Sequence, residues 1–110
     1  MASPPLSEIY ALVDLYQSTN GTYWQWQQNY SEYGYPWNIT DLPNQNPCSA
    51  ITPWQGVTCT EQNNNSSITA LQLVQYGLSG KLQPSIGNLT SLETSDLSEN
   101  HLVGPIPRSM

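Results

Sequence analysis

A chain of 110 residues is one small domain at most, and the core it can bury is small, so covalent help or a neighbouring module is expected. Two Lys or Arg stand against eight Asp or Glu, a formal charge of −6. So few cations leave little to neutralise phosphates, which argues against nucleic acid as a partner and against contact between this segment and an anionic membrane surface.

The N-terminus, Met1-Ala2-Ser3-Pro4-Pro5, has neither a basic region nor an apolar one, so it does not read as a signal peptide; no segment is apolar for long enough to span a bilayer. Residues 4–19 read as a helix, with Ser3 as its cap and Pro4 at its first position. Ile9, Leu12, Val13 and Tyr16 recur at helical spacing and form an apolar stripe. Glu8 and Asp14 fall off that stripe and read as solvated surface. Asn20-Gly21 supplies a left-handed stop.

Residues 22–55 hold most of the aromatic mass: Tyr23, Trp24, Trp26, Tyr30, Tyr33, Tyr35, Trp37 and Trp54. Pro36, Pro43, Pro47 and Pro53 punctuate the stretch and argue against long regular elements. The aromatics read as structural packing, with a sugar-stacking platform as the alternative. Cys48 and Cys59 close a short loop around Pro53 and Trp54. A disulfide there would add about 3 kcal/mol in the chain-entropy picture; the alternative is two buried free thiols. Two cysteines without a histidine cluster cannot build a zinc site, and no cofactor is expected. Val57-Thr-Cys59 reads as a short strand leading into a polar turn, Glu61 to Ser67.

Amides and hydroxyls carry the solubility: Asn and Gln together number twenty. Six N-x-[ST] triplets start at Asn20, Asn29, Asn38, Asn64, Asn65 and Asn88. That number favours a secretory route over chance, and the cysteine pair suits the same oxidising setting. Asn64 and Asn65 overlap, so at most one of the two is expected to carry a glycan. A secreted protein needs a leader, so the N-terminus is expected to be a mature or engineered start.

From residue 68 the chain repeats itself at an offset of 24. Ile68 pairs with Leu92, Leu73 with Leu97, Leu78 with Leu102, Gly80 with Gly104, Leu82 with Ile106 and Ser85 with Ser109. Leu92-Glu-Thr-Ser-Asp-Leu-Ser-Glu-Asn100-His-Leu-Val-Gly-Pro-Ile-Pro107 resembles the plant-type leucine-rich repeat L-x-x-L-x-L-x-x-N-x-L-x-G-x-I-P. Residues 68–87 are a looser copy, and Asn46-Pro-Cys48 with Trp54-Gln-Gly-Val-Thr-Cys59 resembles that family's cysteine-paired N-terminal cap.

The resemblance implies an α/β solenoid: an N-terminal helix, a disulfide-bonded cap over residues 1–67, and about two repeats over 68–110, the second incomplete. A short parallel sheet would line its concave face. Each repeat lays one strand on that sheet and turns its leucines into a shared core that a single repeat cannot close. Asn100 is expected to turn its amide inward onto backbone groups at the bend, with Gly104 and Pro105 steering the chain onto the convex side. Three departures stand out. Tyr76 replaces the ladder Asn, Ser95 puts a polar group where a core leucine is expected, and Lys81-Leu-Gln-Pro84 lacks the Ile-Pro.

Residues between the leucines point outward: Ala70, Gln72, Val74 and Gln75, then Thr94, Asp96, Ser98 and Glu99. The resemblance implies that Gln72, Val74, Gln75, Thr94, Asp96, Ser98 and Glu99 form a face for a protein, peptide or glycan ligand, with Asp96 and Ser98 also matching the framework. An enzyme is not expected. His101 has no nucleophile or orienting carboxylate beside it, and Asp96 with Glu99 reads as an acidic patch, not an acid–base pair. The expected role is the start of a non-catalytic, extracellular receptor-like module. A secreted inhibitor of cell-wall-degrading enzymes and a self-stacking structural module are the alternatives. The C-terminal edge is expected to meet further repeats or another chain, as a fragment of a longer array or a truncated product would.

Overall fold

The computed structural model describes residues 2–40, 42 and 45–104. Helix α1 runs Leu6–Ser18, two residues later than the sequence predicts. Pro5 is the reason: a proline forces the residue before it out of the helical region, so the helix starts only after the second of the pair. Ser3 makes no cap; the preceding position is Pro5, whose carbonyl takes the N–H groups of Glu8 and Ile9 at 3.0 and 3.2 Å.

Of the predicted stripe Ile9, Leu12 and Val13 are buried and Tyr16 is half-buried, but the buried face is wider. It also takes in Glu8, Ala11 and Leu15, which with Leu12 form a second line at i, i+3, i+4 and i+7. Glu8 is therefore not solvated: it is 3% exposed, and its Oε1 accepts the N–H of Ile68 at 2.7 Å. The helix stops at Asn20, which itself takes the left-handed conformation (φ 60°, ψ 52°). Gly21 is needed for room, because a Cβ there would fall inside the Tyr16 ring.

A 3-10 turn at Gly21–Tyr23 and a short helix, α2, at Tyr30–Tyr33 precede the sheet. Trp24, Trp37 and Trp54 are buried. Trp37 stacks on Trp54 at 5.2 Å, and Trp24 meets Trp37 edge-on at 4.9 Å. The structural reading holds for these tryptophans; Tyr23 (79% exposed) and Tyr33 (50%) stay outside. Cys48 and Cys59 are joined in a disulfide with Cα atoms 5.7 Å apart.

Strand β1 spans Val57–Gln62 and β2 Asn65–Gln72. The stretch predicted as a polar turn is therefore mostly strand. Only Asn63 and Asn64 turn, both left-handed (φ 53° and 65°), which suits a two-residue hairpin whose twist matches its strands. After β3, Ser79–Gly80, a 3-10 helix at Pro84–Asn88 packs against α1. Strands β4, Thr94–Asp96, and β5, His101–Leu102, follow.

Sheet order is β1-β2-β4, with β1 antiparallel to β2 and β2 parallel to β4. The sheet is thus mixed, because the chain turns back at Asn63 and Asn64 and pairs β2 antiparallel with β1. Ala70 pairs with Thr94 and Gln72 with Asp96, the 24-residue offset of the repeat; β3 and β5 pair in parallel on their own. Ile68, Leu71, Leu73 and Leu78 are fully buried between the sheet, α1 and the tryptophans, each worth about 1.5–3 kcal/mol of transfer energy. The pairings of Leu82 with Ile106 and Ser85 with Ser109, and Pro105, lie outside the described residues.

Candidate ligand-binding face

Along β2 and its continuation, Leu71 and Leu73 point into the core, while Ala70 and Val74 are half-exposed and Gln72 exposed. Each strand of the face leaves through a left-handed residue, Gln75 (φ 60°) and Glu99 (φ 57°), which occupy the same place in the two repeats. Both are exposed, as are Thr94, Asp96 and Ser98. The sheet therefore brings Gln72, Val74, Thr94 and Asp96 onto one face, with Gln75, Ser98 and Glu99 along its exit edge. Asp96 is partly committed to the local fold. Its Oδ1 accepts the Ser98 N–H at 3.1 Å and the Ser98 hydroxyl at 2.7 Å. These bonds from Ser98 hold its carboxyl below the usual range. His101 is exposed on β5.

Asn100 holds the bend. Its Oδ1 accepts the N–H groups of Tyr76 and Leu78 at 3.1 and 3.0 Å, and its Nδ2 donates to the carbonyls of Leu73, Leu97 and Ser98 at 2.8, 2.9 and 3.1 Å. One amide thus satisfies five backbone groups across two repeats.

In the first repeat Tyr76 occupies that position, and its amide is supplied from the cap. Gln55 is 0% exposed. Its Oε1 accepts the Tyr76 hydroxyl at 2.8 Å and the Gln27 N–H at 3.0 Å. Its Nε2 donates to the carbonyls of Gln27 (2.7 Å) and Gly34 (3.0 Å). Burial pushes the Tyr76 phenol above the ordinary tyrosine range, and Tyr33 adds to it. Gln55 and Glu8 were both missed in the sequence, since neither carries an apolar signal. Tyr76 in place of Asn was the one clue that a partner had to come from elsewhere.

Ser95 pairs with Leu71 on the core side of the sheet, but it is exposed there, as is all of β4. Beyond β4 lies a hollow of about 490 Å³ lined by Leu82, Ser95, Leu97, Asn100 and Leu102. Nothing among the described residues covers it, and Leu97 and Leu102 on its wall are only partly buried. Beside the face a second, polar hollow of about 340 Å³ is lined by Thr60, Gln62, Asn65, Ser67, Thr69 and Glu93. Treating 61–67 as a turn concealed it; with β1 and β2 as a hairpin these side chains share one surface.

All six sequon asparagines, Asn20, Asn29, Asn38, Asn64, Asn65 and Asn88, are exposed. Asn20 is also engaged: its Nδ2 donates to the Ser79 carbonyl at 3.1 Å and to the Ser79 hydroxyl at 2.8 Å. Among the described residues no group of three or more His, Cys, Asp or Glu could hold a metal ion, and no helix is long and apolar enough to cross a membrane.

No family model matches the chain. Over 61 residues, 56% of its length, it is 41% identical to a nodulation receptor kinase of Pisum sativum, and over 57 residues 46% identical to the LRR receptor-like serine/threonine-protein kinase GSO2 of Arabidopsis thaliana. It spans 6% and 4% of those two proteins. The backbone is similar to the LRR ectodomain of the receptor kinase SOBIR1 from Arabidopsis thaliana, with a TM-score of 0.62 at 21% identity, covering 99% of this chain and 49% of that one. It is also similar to a leucine-rich repeat protein of Bacteroides eggerthii, with a TM-score of 0.57 at 28% identity over 93% of this chain and 15% of that one. The chain is thus similar to plant-type leucine-rich-repeat proteins in sequence and has the leucine-rich-repeat fold.

Proposed function

We propose that this chain is the N-terminal cap and first repeats of an extracellular, receptor-like recognition scaffold without chemistry of its own, the beginning of a longer solenoid. The observation that carries the reading is the parallel β2–β4 step in repeat register. It sets Gln72 beside Asp96 and Ala70 beside Thr94, and on this reading Gln72, Val74, Gln75, Thr94, Asp96, Ser98 and Glu99 make up the ligand face. Strands presenting exposed polar side chains suit recognition of a protein or peptide surface. A glycan is the other ligand class compatible with so many amides and hydroxyls. The similarity to receptor-kinase ectodomains supports the cell-surface setting, as do the disulfide and the exposed sequons.

A secreted inhibitor built on the same kind of scaffold is the alternative reading, and the similarity to receptor-kinase ectodomains favours the receptor-like one. The test is a binding screen with the oxidised chain extended by its downstream repeats, against panels of extracellular proteins, peptides and oligosaccharides. Any partner found should lose affinity roughly tenfold or more on Gln72→Arg or Thr94→Arg, as changes at the centre of an interface do. Gln83→Arg, on the far side, should be silent. Partners indifferent to the first two variants and sensitive to the third would move the site off this face.

A further inference from the structure

Trp24, Trp37 and Trp54 are buried, whereas Tyr30 and Tyr35 are half-buried and Tyr33 is exposed. Tyr30, Tyr33 and Tyr35 line a hollow of about 280 Å³, together with Glu32, Ile51 and Pro53. Ile51 is 84% exposed and Tyr33 50%, so the rim is open to solvent. We propose that this hollow receives the cationic head of a Lys or Arg side chain from a protein or peptide partner.

Four observations lead there. First, the walls are fixed. Tyr35 donates its N–H to the Pro53 carbonyl at 2.8 Å and accepts the Gln55 N–H at 2.9 Å. The Gly34 carbonyl takes the Gln55 amide, and at Gly34 (φ 97°) a Cβ would press to 2.9 Å from the Pro53 carbonyl oxygen. Glycine lets the two segments close up, so the backbone that carries Tyr35 is in place before any ligand arrives.

Second, the rings form a corner. Tyr30 and Tyr35 lie 5.6 Å apart with planes inclined by 52°. A sugar stacks best on one flat open face, whereas a cation gains from several ring faces turned toward it. Third, the charge matches: Glu32 stands at the rim, where its Oε2 accepts the Asn29 amide at 3.0 Å, and the chain carries −6 overall. Lys81, the one Lys or Arg among the described residues, lies against Gly104 and brings no competing cation here. Fourth, the volume of about 280 Å³ is ample for the end of one side chain, so no wall has to move to admit it.

This site is separate from the sheet face, and its failure would leave that reading untouched. The test is an NMR titration of the isotope-labelled, disulfide-bonded chain with tetramethylammonium chloride and with Nα-acetylarginine amide. Sodium chloride at equal ionic strength and cellotetraose serve as comparisons. Both cations should produce saturable shifts centred on Tyr30, Tyr33, Gly34 and Ile51. Tyr33→Ala should weaken binding roughly fivefold while Tyr33→Phe, which keeps the ring face, binds as before. Glu32→Gln should weaken it and flatten its salt dependence. Unchanged Leu71 and Leu73 methyl signals establish that each variant is folded. Three results would overturn the assignment: no saturable shift with either cation, equal binding by Tyr33→Ala, or the shifts arising with cellotetraose and not with the cations.

Discussion

Replacing Gln55 by Leu, which is apolar and of similar size, tests whether the cap is keyed to the first repeat through a buried amide. The change removes four hydrogen bonds. Gln27 is exposed, and water can reach its backbone groups; the Tyr76 hydroxyl and Gly34 carbonyl lie in buried residues and lose a partner. A buried polar group left unsatisfied costs about 1–3 kcal/mol, so Gln55→Leu should destabilise by roughly 2–6 kcal/mol, a large part of the ~5–15 kcal/mol typical of a domain. Tyr76→Phe supplies the decisive control. In the native background it should cost about 1–2 kcal/mol, because the Gln55 oxygen loses a donor. In the Gln55→Leu background it removes a stranded hydroxyl and should be neutral or mildly stabilising. Urea unfolding of the oxidised chain, followed by tryptophan fluorescence, gives all four corners of the cycle. A coupling within about 0.5 kcal/mol of zero would refute the reasoning.

Glu8→Ala should destabilise by about 2–3 kcal/mol, since it strands the buried Ile68 N–H that now meets a carboxylate, while Glu8→Gln keeps an acceptor and should lose less than half as much; chemical denaturation separates the two, and equal losses would make Glu8 mere filling. Alkaline unfolding should show the Tyr76 shift. With the phenol pushed upward in the folded state, its contribution is complete below the free tyrosine value of about 10 and is lost as pH rises through the higher folded value. Tyr76→Phe should flatten that limb of the pH–stability curve, and an unchanged limb would count against it. An N-glycan on Asn20 would replace an amide hydrogen that now bonds Ser79, so glycopeptide mass spectrometry of folded, secreted material should find Asn20 empty and Asn38 and Asn88 open to occupancy. A fully occupied Asn20 in correctly folded protein would contradict this.

Much of the architecture was legible because it rests on periodicity. The leucines recur at fixed spacing, and the offset of 24 reappears as the strand register. Asn100 could be assigned before any coordinate, since a bend that abandons strand pairing leaves backbone groups that a local amide can satisfy. The helix start, by contrast, turned on which of two adjacent prolines ends the extended segment. The hairpin hid within seven polar residues because an exposed edge strand needs no apolar alternation.

The N-terminal helix, the repeat and its offset and the outward residues of β2 and β4 were thus legible in the chain's own sequence. What only tertiary structure decided are the long-range polar contacts. Glu8 reaches Ile68 across 60 residues and Gln55 reaches Tyr76 across 21. Nothing local in either segment announces the other, because a polar side chain is buried only where a distant backbone or hydroxyl group arrives to satisfy it. The division of the aromatics has the same origin. Tryptophans and tyrosines alternate without pattern from residue 23 to 37, and only tertiary packing, in which Gly34 and Tyr35 bond to the 53–55 segment, separates those that fill the core from those that line an open hollow.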